Sequence, residues 1–255
     1  MNNSSAAFSQ EQLSKKQLRT KTLLSFFVFF LFGAGAWLLF MWVKKAPQEA
    51  GTPKPLRSVL TANESVFSSL FSSSKRVKEY PLSAAAKKVR VNGSDGLEDA
   101  VDTIAWRLHV VKKNGDTLTL SLNDIKKLPK KDIVFDFKCI EGWSQITHWA
   151  GVPLKTFLAT YGLTEEGKMN YVGLQTPNKK YYVGIDMPSA LQEQTILCYE
   201  MNGAPLPLNQ GFPLRLIIPV KYGVKHLKRI GTMFFSNTRP PDFWAERGYD
   251  YYAGH

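Results

Sequence analysis

The chain has 255 residues, a formal net charge of +12 and two cysteines. This length suits one domain with a sizeable core plus shorter additional segments, and so few cysteines exclude a disulfide-dense scaffold. The excess of cations is a feature of nucleic-acid-binding proteins, but no nucleic-acid-binding motif occurs in the sequence. We therefore expect no nucleic-acid partner, and attribute the charge to a membrane surface or a small anion.

The N-terminal part divides into a basic tail and an apolar segment. Residues 1–21 form the tail, and residues 22–43 are uncharged and nearly all apolar. As a helix the apolar segment spans about 33 Å, enough for the hydrocarbon core of a bilayer. A cleaved signal peptide is the alternative, but its apolar region is shorter and precedes a small-residue cleavage site. We predict a single transmembrane helix over residues 22–43.

The orientation of this helix stays open, because lysine and arginine flank it on both sides. Ser14-Lys-Lys-Gln-Leu18 has the outline of a twin-arginine export signal with lysines in both arginine places. An ordinary basic juxtamembrane tail is the alternative interpretation of the same residues.

Residues 44–79 contain prolines and a serine-rich run, which predict a linker. An amphipathic helix over Val59–Phe71 is an alternative for part of it. Residues 80–255 then form the globular domain. Its short strand-like segments outnumber its helices, so an α+β fold is favoured. The predicted strands are 105–112, 116–122, 132–139, 171–174, 181–185, 196–201, 214–219 and 228–235, and the predicted helices are 121–128, 153–161 and 189–194.

Cys139 ends a predicted apolar strand and enters Glu141-Gly-Trp-Ser144, a turn sequence. A lone cysteine in a strand is most often a small buried hydrophobe. A cysteine protease would pair the thiol with a histidine, but His109, His148, His226 and His255 all lack a recognisable protease setting. A thiolate is also a good ligand for a soft metal. A disulfide between Cys139 and Cys198 is a further possibility.

A second block runs from Gly211 to Arg229. Arg215 lies on an almost wholly apolar strand, where a cation needs an anionic partner or several acceptors. Further cations follow between Lys221 and Arg229 around Gly223, which allows close approach of the backbone to a ligand. This chemistry suits a phosphate. An internal salt bridge and a solvated basic loop are the structural alternatives.

Three stretches together resemble a known family. They are Phe137-Lys-Cys-Ile-Glu-Gly-Trp-Ser followed by Trp149-Ala-Gly-Val-Pro-Leu, the segment Cys198–Pro219, and Arg239-Pro-Pro-Asp-Phe-Trp244 with Tyr249-Asp-Tyr-Tyr252. They are similar to the sulfite oxidase family of molybdopterin-dependent oxidoreductases, and within it to the periplasmic protein-methionine-sulfoxide reductase branch. The resemblance covers roughly residues 104–252. No counterpart of the family's asparagine-containing, pterin-contacting N-terminal segment is found around Tyr80-Pro-Leu-Ser83.

The resemblance implies a strand-rich, sulfite oxidase-like domain that binds molybdenum-molybdopterin (Mo-MPT). In it, Cys139 is the protein ligand of molybdenum, and Glu141 lies near the open face of the metal. Positions implied to contact the cofactor are Cys139, Thr176, Gln210, Arg215, His226, Leu227 and Lys228.

The implied enzyme reduces S-oxide or N-oxide substrates, small or protein-bound, by two-electron oxygen-atom transfer. A sulfite oxidase-like enzyme is the alternative, but no arginine occurs between Arg107 and Arg215 to bind sulfite. A membrane-anchored binding module that keeps the fold without cofactor is another. Because no haem or iron–sulfur motif occurs, electrons would come from a cytochrome or quinone-linked membrane partner. We expect a monomeric catalytic unit on the periplasmic side of a bacterial inner membrane.

Overall fold

A computed structural model describes residues 14–70 and 76–255 of the chain. Residues 1–13 of the basic tail and residues 71–75 of the expected linker lie outside the described residues. The division into tail, transmembrane helix, linker and domain therefore stays a prediction.

The described residues form five α-helices, twelve strands and several short 3₁₀ turns. The helices are α1 (Lys15–Lys45), α2 (Lys54–Leu70), α3 (Leu122–Lys126), α4 (Leu154–Thr160) and α5 (Met187–Ala190). The strands are β1 (Gln48–Glu49), β2 (Thr52–Pro53), β3 (Leu108–Val111), β4 (Thr117–Leu120), β5 (Lys131–Lys138), β6 (Ser144–Pro153), β7 (Tyr171–Gln175), β8 (Tyr182–Asp186), β9 (Ile196–Met201), β10 (Ala204–Pro205), β11 (Arg215–Ile217) and β12 (Thr232–Ser236).

Two five-stranded sheets build the globular part. One has the order β10-β9-β6-β5, with β11 also paired to β9, and all of its pairs are antiparallel. The other has the order β4-β3-β12-β7-β8, in which only β3 and β12 run parallel among its described strands. Strands and helices are mixed without a regular β-α-β alternation, so the predicted α+β class is confirmed.

The first sheet places Cys139 at one of its ends. Strands β5 and β6 pair from Lys131 opposite Gly151 to Lys138 opposite Ser144, so Cys139 begins the turn of a hairpin. Ile133, Phe135 and Phe137 on β5 share a buried apolar cluster with Cys139. This alternation is the one that the sequence predicts for residues 132–139.

Helix α1 contains the predicted transmembrane segment and extends beyond it at both ends. It is long and apolar enough to cross a membrane, and its apolar side chains are exposed in the chain by itself. Helix α2 occupies much of the expected linker, where the sequence also allowed an amphipathic helix. The β1–β2 hairpin connects the two helices.

Candidate functional site

The turn after β5 presents the Cys139 thiol at a cavity. The Cys139 N–H donates to the carbonyl of Trp143 at 2.9 Å, and the Gly142 N–H donates to the carbonyl of Cys139 at 3.1 Å. Gly142 has a φ of 86°, a conformation that glycine adopts without steric cost. Cys139 is 5% exposed, and burial raises the pKa of its thiol above the ordinary value. Neither Cys139 nor Cys198 forms a disulfide.

The cavity beside Cys139 encloses about 110 Å³ of space open to water-sized molecules. Its wall is formed by Tyr181 and by residues from four parts of the chain: Asn92, Gly93 and Asp95; Cys139, Ile140 and Glu141; Gly223, Val224, His226 and Lys228; and Trp244 and Tyr249. The two sequence blocks that the resemblance links thus face one another across a single cavity. Cys139, Glu141, His226 and Lys228 are all on its wall.

The cations between Lys221 and Arg229 are buried, which excludes the solvated basic loop. Two of them form internal salt bridges. Lys221 Nζ lies 2.7 Å from Asp186 Oδ1, and Lys225 Nζ lies 2.5 Å from Asp242 Oδ2. Lys228 instead faces the cavity, and its Nζ donates to the carbonyls of Asn92 at 2.6 Å and Gly93 at 2.8 Å. Burial lowers the pKa of Lys228 to about 7, and the nearby Arg215 adds to this effect.

His226 is neutral in this environment, because burial lowers its pKa to about 3. Its Nε2 lies 3.1 Å from the carbonyl of Lys221, and its Nδ1 lies 3.5 Å from the N–H of Ile218. These partners assign the proton to Nε2, with Nδ1 as an acceptor. The ring also packs edge-on against Phe137 at 4.7 Å, which joins the cation-rich loop to β5.

Arg215 is fully buried, its guanidinium carbon lies 4.5 Å from the centroid of the Trp149 ring, and two of its three guanidinium nitrogens have no hydrogen bond within the described residues. Nη1 donates to the carbonyl and to Oε1 of Gln210, at 3.1 Å and 2.9 Å. Nε and Nη2 are buried without a hydrogen-bond partner in the described structure. Burial lowers the pKa of Arg215 to about 10. A buried cation with orphaned donors, close enough to Lys228 and His226 to lower their pKa values, fits an anionic group of a ligand.

Arg215 and the three remaining predicted positions lie off the cavity wall. Gln210 is buried and connects Arg215 to the carbonyl of Arg90 through Nε2, at 3.3 Å. Thr176 is buried, and its hydroxyl donates to Asn178 Oδ1 at 2.7 Å. Leu227 packs in the larger apolar core, and its N–H donates to the carbonyl of Lys225 at 3.0 Å. Contacts of these three residues with a cofactor stay predictions.

Glu141 lies at the exposed edge of the cavity and is held by Trp143. The indole Nε1 of Trp143 donates to Glu141 Oε2 at 2.8 Å. One face of the indole stacks on Phe137, with ring centroids 5.9 Å apart, and the guanidinium carbon of Arg90 lies 4.6 Å from the ring centroid. Such a cation–aromatic contact restricts the indole and with it the carboxylate.

Arg90 also corrects an argument made from the sequence. The positions of the arginines in the sequence predicted no arginine near Cys139, yet Arg90, from upstream in the chain, reaches this end of β5. Its positive charge lowers the pKa of Cys139, although burial has the larger effect and raises it. The sequence missed Asn92, Gly93 and Asp95 as well, which line the cavity. The only local signal for these three residues was the Asn92-Gly93 pair, which is typical of a turn.

A family model described as "Oxidoreductase molybdopterin binding domain" matches residues 95–244. The chain belongs to this family of molybdopterin-binding oxidoreductases, which have the sulfite oxidase fold, and it is an enzyme. The predicted family, enzyme class and fold are thereby confirmed.

Among relatives, the chain is 35% identical over 194 residues to the Azospira oryzae protein named "Putative protein-methionine-sulfoxide reductase subunit YedZ1". That match covers 75% of this chain and 73% of the relative. It is 30% identical to the protein-methionine-sulfoxide reductase catalytic subunit MsrP of Campylobacter jejuni, over 60% of this chain and 57% of MsrP. The solved sulfane dehydrogenase SoxCD from Paracoccus pantotrophus aligns with a TM-score of 0.49 and 17% identity, over 55% of this chain and 40% of that one.

Proposed function

We propose that this protein is a membrane-anchored oxidoreductase that uses molybdenum-molybdopterin to reduce S-oxide or N-oxide substrates. The observation that carries the proposal is the cavity that has the Cys139 thiol on one wall and Lys228 on another, with the orphaned guanidinium donors of Arg215 nearby. Family membership supplies the cofactor class, and the names of the two relatives supply the S-oxide substrate class.

The donor set fits the cofactor. Within residues 14–70 and 76–255, no three His, Cys, Asp or Glu side chains are grouped to hold a metal ion. A metal carried by sulfur atoms of a pterin needs only one further ligand from the protein, and Cys139 supplies a soft one. Arg215 and Lys228 suit the phosphate of the pterin, and His226 and Gln210 order the surrounding backbone.

The reaction consumes two electrons and two protons, and converts an S-oxide to a sulfide and water. The bound cofactor supplies the two-electron redox chemistry. The side chains of this chain orient the oxide and deliver protons to its oxygen. Glu141, fixed by Trp143 at the cavity edge, holds and transfers a proton at that oxygen. Tyr249 and Trp244 form part of the same cavity wall.

Arg90 supports a second candidate, a sulfite oxidase-like activity, because its guanidinium places a positive charge near the cavity mouth. The two candidates differ in the direction of electron flow and can be assayed on the same preparation. The named activity of the relatives favours reduction.

The anchor and the partner complete the proposal. Helix α1 would cross a bacterial inner membrane once, with the catalytic domain on the periplasmic side. Electrons would come from a cytochrome or quinone-linked protein in the same membrane. The catalytic unit would be a monomer, and its substrate a small or a protein-bound oxide.

Cofactor analysis tests the proposal directly. The full chain, made in a molybdenum-replete host, is expected to contain about one molybdenum and one pterin per protein. Cys139→Ser is expected to lose the metal and the dye-coupled reduction of methionine sulfoxide. Cys198→Ser is the matched control, because Cys198 is buried and lies outside the cavity wall.

A folded wild-type protein without molybdenum and pterin would contradict the enzyme proposal and favour the cofactor-free binding module. Sulfite-dependent dye reduction without any S-oxide or N-oxide reduction would favour the second candidate. A topology reporter fused after His255 would test the periplasmic location.

A further inference from the structure

Helix α2 begins directly beside the end of α1. The N–H of Lys54, the first residue of α2, donates to the carbonyl of Pro47 at 2.9 Å, and Pro47 follows α1 by two residues. Trp42, Lys44 and Lys45 at the end of α1 are residue types that concentrate where lipid meets water. If α1 spans the bilayer, α2 starts at the level of the lipid headgroups.

One side of α2 is fixed to the catalytic domain. The Arg57 guanidinium donates to the carbonyl of Tyr249 at 2.8 Å and to the carbonyl of Ala245. Two turns later, Glu64 Oε1 lies 2.6 Å from Arg239 Nη2, and the Glu64 side chain is only 12% exposed. These contacts determine which way the rest of the helix faces.

The other side of α2 is an aliphatic stripe. Leu56, Val59, Val66 and Leu70 follow one another at spacings of 3, 7 and 4 residues, which places them on one helical face. Leu70, at the end of the helix, also borders a cleft that Val220 and Tyr252 of the domain line. The four stripe residues are 47%, 56%, 56% and 74% exposed, with Asn63 among them. Exposed apolar faces of this size mark an interaction surface.

We propose that α2 lies along the membrane surface, with this aliphatic stripe inserted at the boundary between lipid headgroups and acyl chains. The inference rests on the proposed anchoring by α1. The helix is about 25 Å long, so it would hold the domain against the bilayer over a considerable distance. The anchor would then fix the orientation of the catalytic domain instead of tethering it loosely.

The bilayer is favoured over another occupant by the way α2 is connected. Its first turn borders a cleft that Trp42 and Lys45 of α1 also line. Helix α2 therefore begins against the end of α1, whose apolar surface would lie in lipid, and the stripe starts at Leu56 within that first turn. A second copy of the chain would have to reach the stripe at headgroup depth.

Spin labels on α2 test the proposal in the full chain, reconstituted in nanodiscs of phosphatidylethanolamine and phosphatidylglycerol. Nitroxides are attached to Val59→Cys and Val66→Cys, and in matched controls to Ser65→Cys and Ser68→Cys, which are exposed and lie on another side of the helix. The two native cysteines are buried, and the unsubstituted chain gives their labelling background. Phe30→Cys in α1 reports whether the anchor itself is in lipid.

We expect the labels at Val59 and Val66 to collide several-fold more with oxygen than with a water-soluble nickel chelate, and the serine positions to show the reverse. Equal exposure of both faces to the chelate would overturn the proposal, and so would spin–spin broadening between two copies at Val66. A Phe30 label in lipid with a Val66 label in water would refute the surface helix alone. A Phe30 label in water would refute the anchor as well.

Discussion

At Arg215, the cost of burying a charge and the need for a ligand are linked. Its guanidinium is 0% exposed and has orphaned donors, so Gln210 and the face of Trp149 offset its desolvation penalty only in part when no anion is bound. We expect Arg215→Met to lose about 2–5 kcal/mol of cofactor binding. The cofactor-free variant should unfold at a temperature no lower than the cofactor-free wild type.

Pterin analysis and thermal unfolding of the cofactor-free proteins measure both effects. Arg107→Met serves as the control, because Arg107 is exposed. Wild-type pterin content in Arg215→Met would show that Arg215 does not hold the cofactor.

The buried Lys221 makes stability depend on pH in the alkaline range. Burial lowers its pKa to about 8 in spite of the Asp186 carboxylate beside it, whereas an unfolded lysine titrates near 10.4. Between these values the unfolded chain binds more protons, so the free energy of unfolding rises with pH, by up to about 3 kcal/mol. We expect Lys221→Met to reduce this rise by up to that amount, while the part that is left belongs to Lys228, whose pKa is lowered to about 7.

Urea unfolding at pH 7.0 and pH 10.0 checks this prediction. The first pH is about one unit below the pKa of Lys221 in the folded protein, and the second is near the pKa of an unfolded lysine. The exposed Lys155→Met variant should keep the rise. A rise of wild-type size in Lys221→Met would assign the effect to another group.

The sequence identified the residues whose local setting is unusual, such as Cys139 at a strand end and Arg215 on an apolar strand. It missed Asn92 and Arg90, because their role depends on contacts between distant parts of the chain. Lys228 meets the carbonyls of Asn92 and Gly93 from 136 and 135 positions away in sequence. Segment 87–95 is basic and polar apart from Val89 and Val91, and this short alternation does not indicate which distant residues the segment contacts.

Strand β6 connects the cysteine hairpin to the rest of its sheet, and Gly151 determines how closely it packs on β9. A Cβ at Gly151 would overlap the carbonyl oxygen of Leu197, next to the irregular register at Ala150 and Gly151. We expect Gly151→Ala to destabilise the protein by more than about 3 kcal/mol and to lower its molybdenum content.

Gly167→Ala is the matched control. A Cβ there meets only Leu158 Cδ1 at 3.7 Å, an ordinary contact, so a change within about 0.5 kcal/mol is expected. Denaturant unfolding of both variants makes the comparison. Equal free energies of unfolding for Gly151→Ala and Gly167→Ala would mean that β6 and β9 can move apart without loss of stability.

Strands with alternating or short apolar patterns were predictable, but β6 and part of β12 were not. Thr147 to Val152 are all buried, so β6 has no alternation between an apolar and a polar face. The strand predicted over 228–235 begins only at Thr232. Arg229 has a φ of 52°, which interrupts an extended strand, and Lys228 is turned toward the cavity.

For the molecule as a whole, α2 and the cavity share one segment of chain. Arg57 donates to the carbonyls of Ala245 and Tyr249, while Trp244 and Tyr249 line the cavity. Hydrogen bonds from a charged donor contribute about 1.5–3 kcal/mol. We expect Arg57→Ala to speed amide hydrogen exchange in residues 244–249 and to lower kcat/KM, although Arg57 is outside the cavity wall.

Exchange measured by mass spectrometry in nanodiscs, together with steady-state kinetics, tests this coupling. Ser58→Ala, at the exposed neighbouring position, should change neither quantity. Unaltered exchange in residues 244–249 of Arg57→Ala would show that the segment is held by its own contacts.

The two hydrogen bonds of Arg57 also bear on how such an enzyme is handled in the laboratory. A shortened chain that starts after residue 75 would leave the carbonyls of Ala245 and Tyr249 without these donors. Detergent that detaches α2 from a lipid surface would loosen the backbone around Ala245 and Tyr249 less than the truncation does. Turnover rates measured on truncated, micellar and bilayer-embedded preparations would then differ, because the cavity wall is held in place to a different degree in each. The lipid would itself be one of the factors that determine the turnover rate.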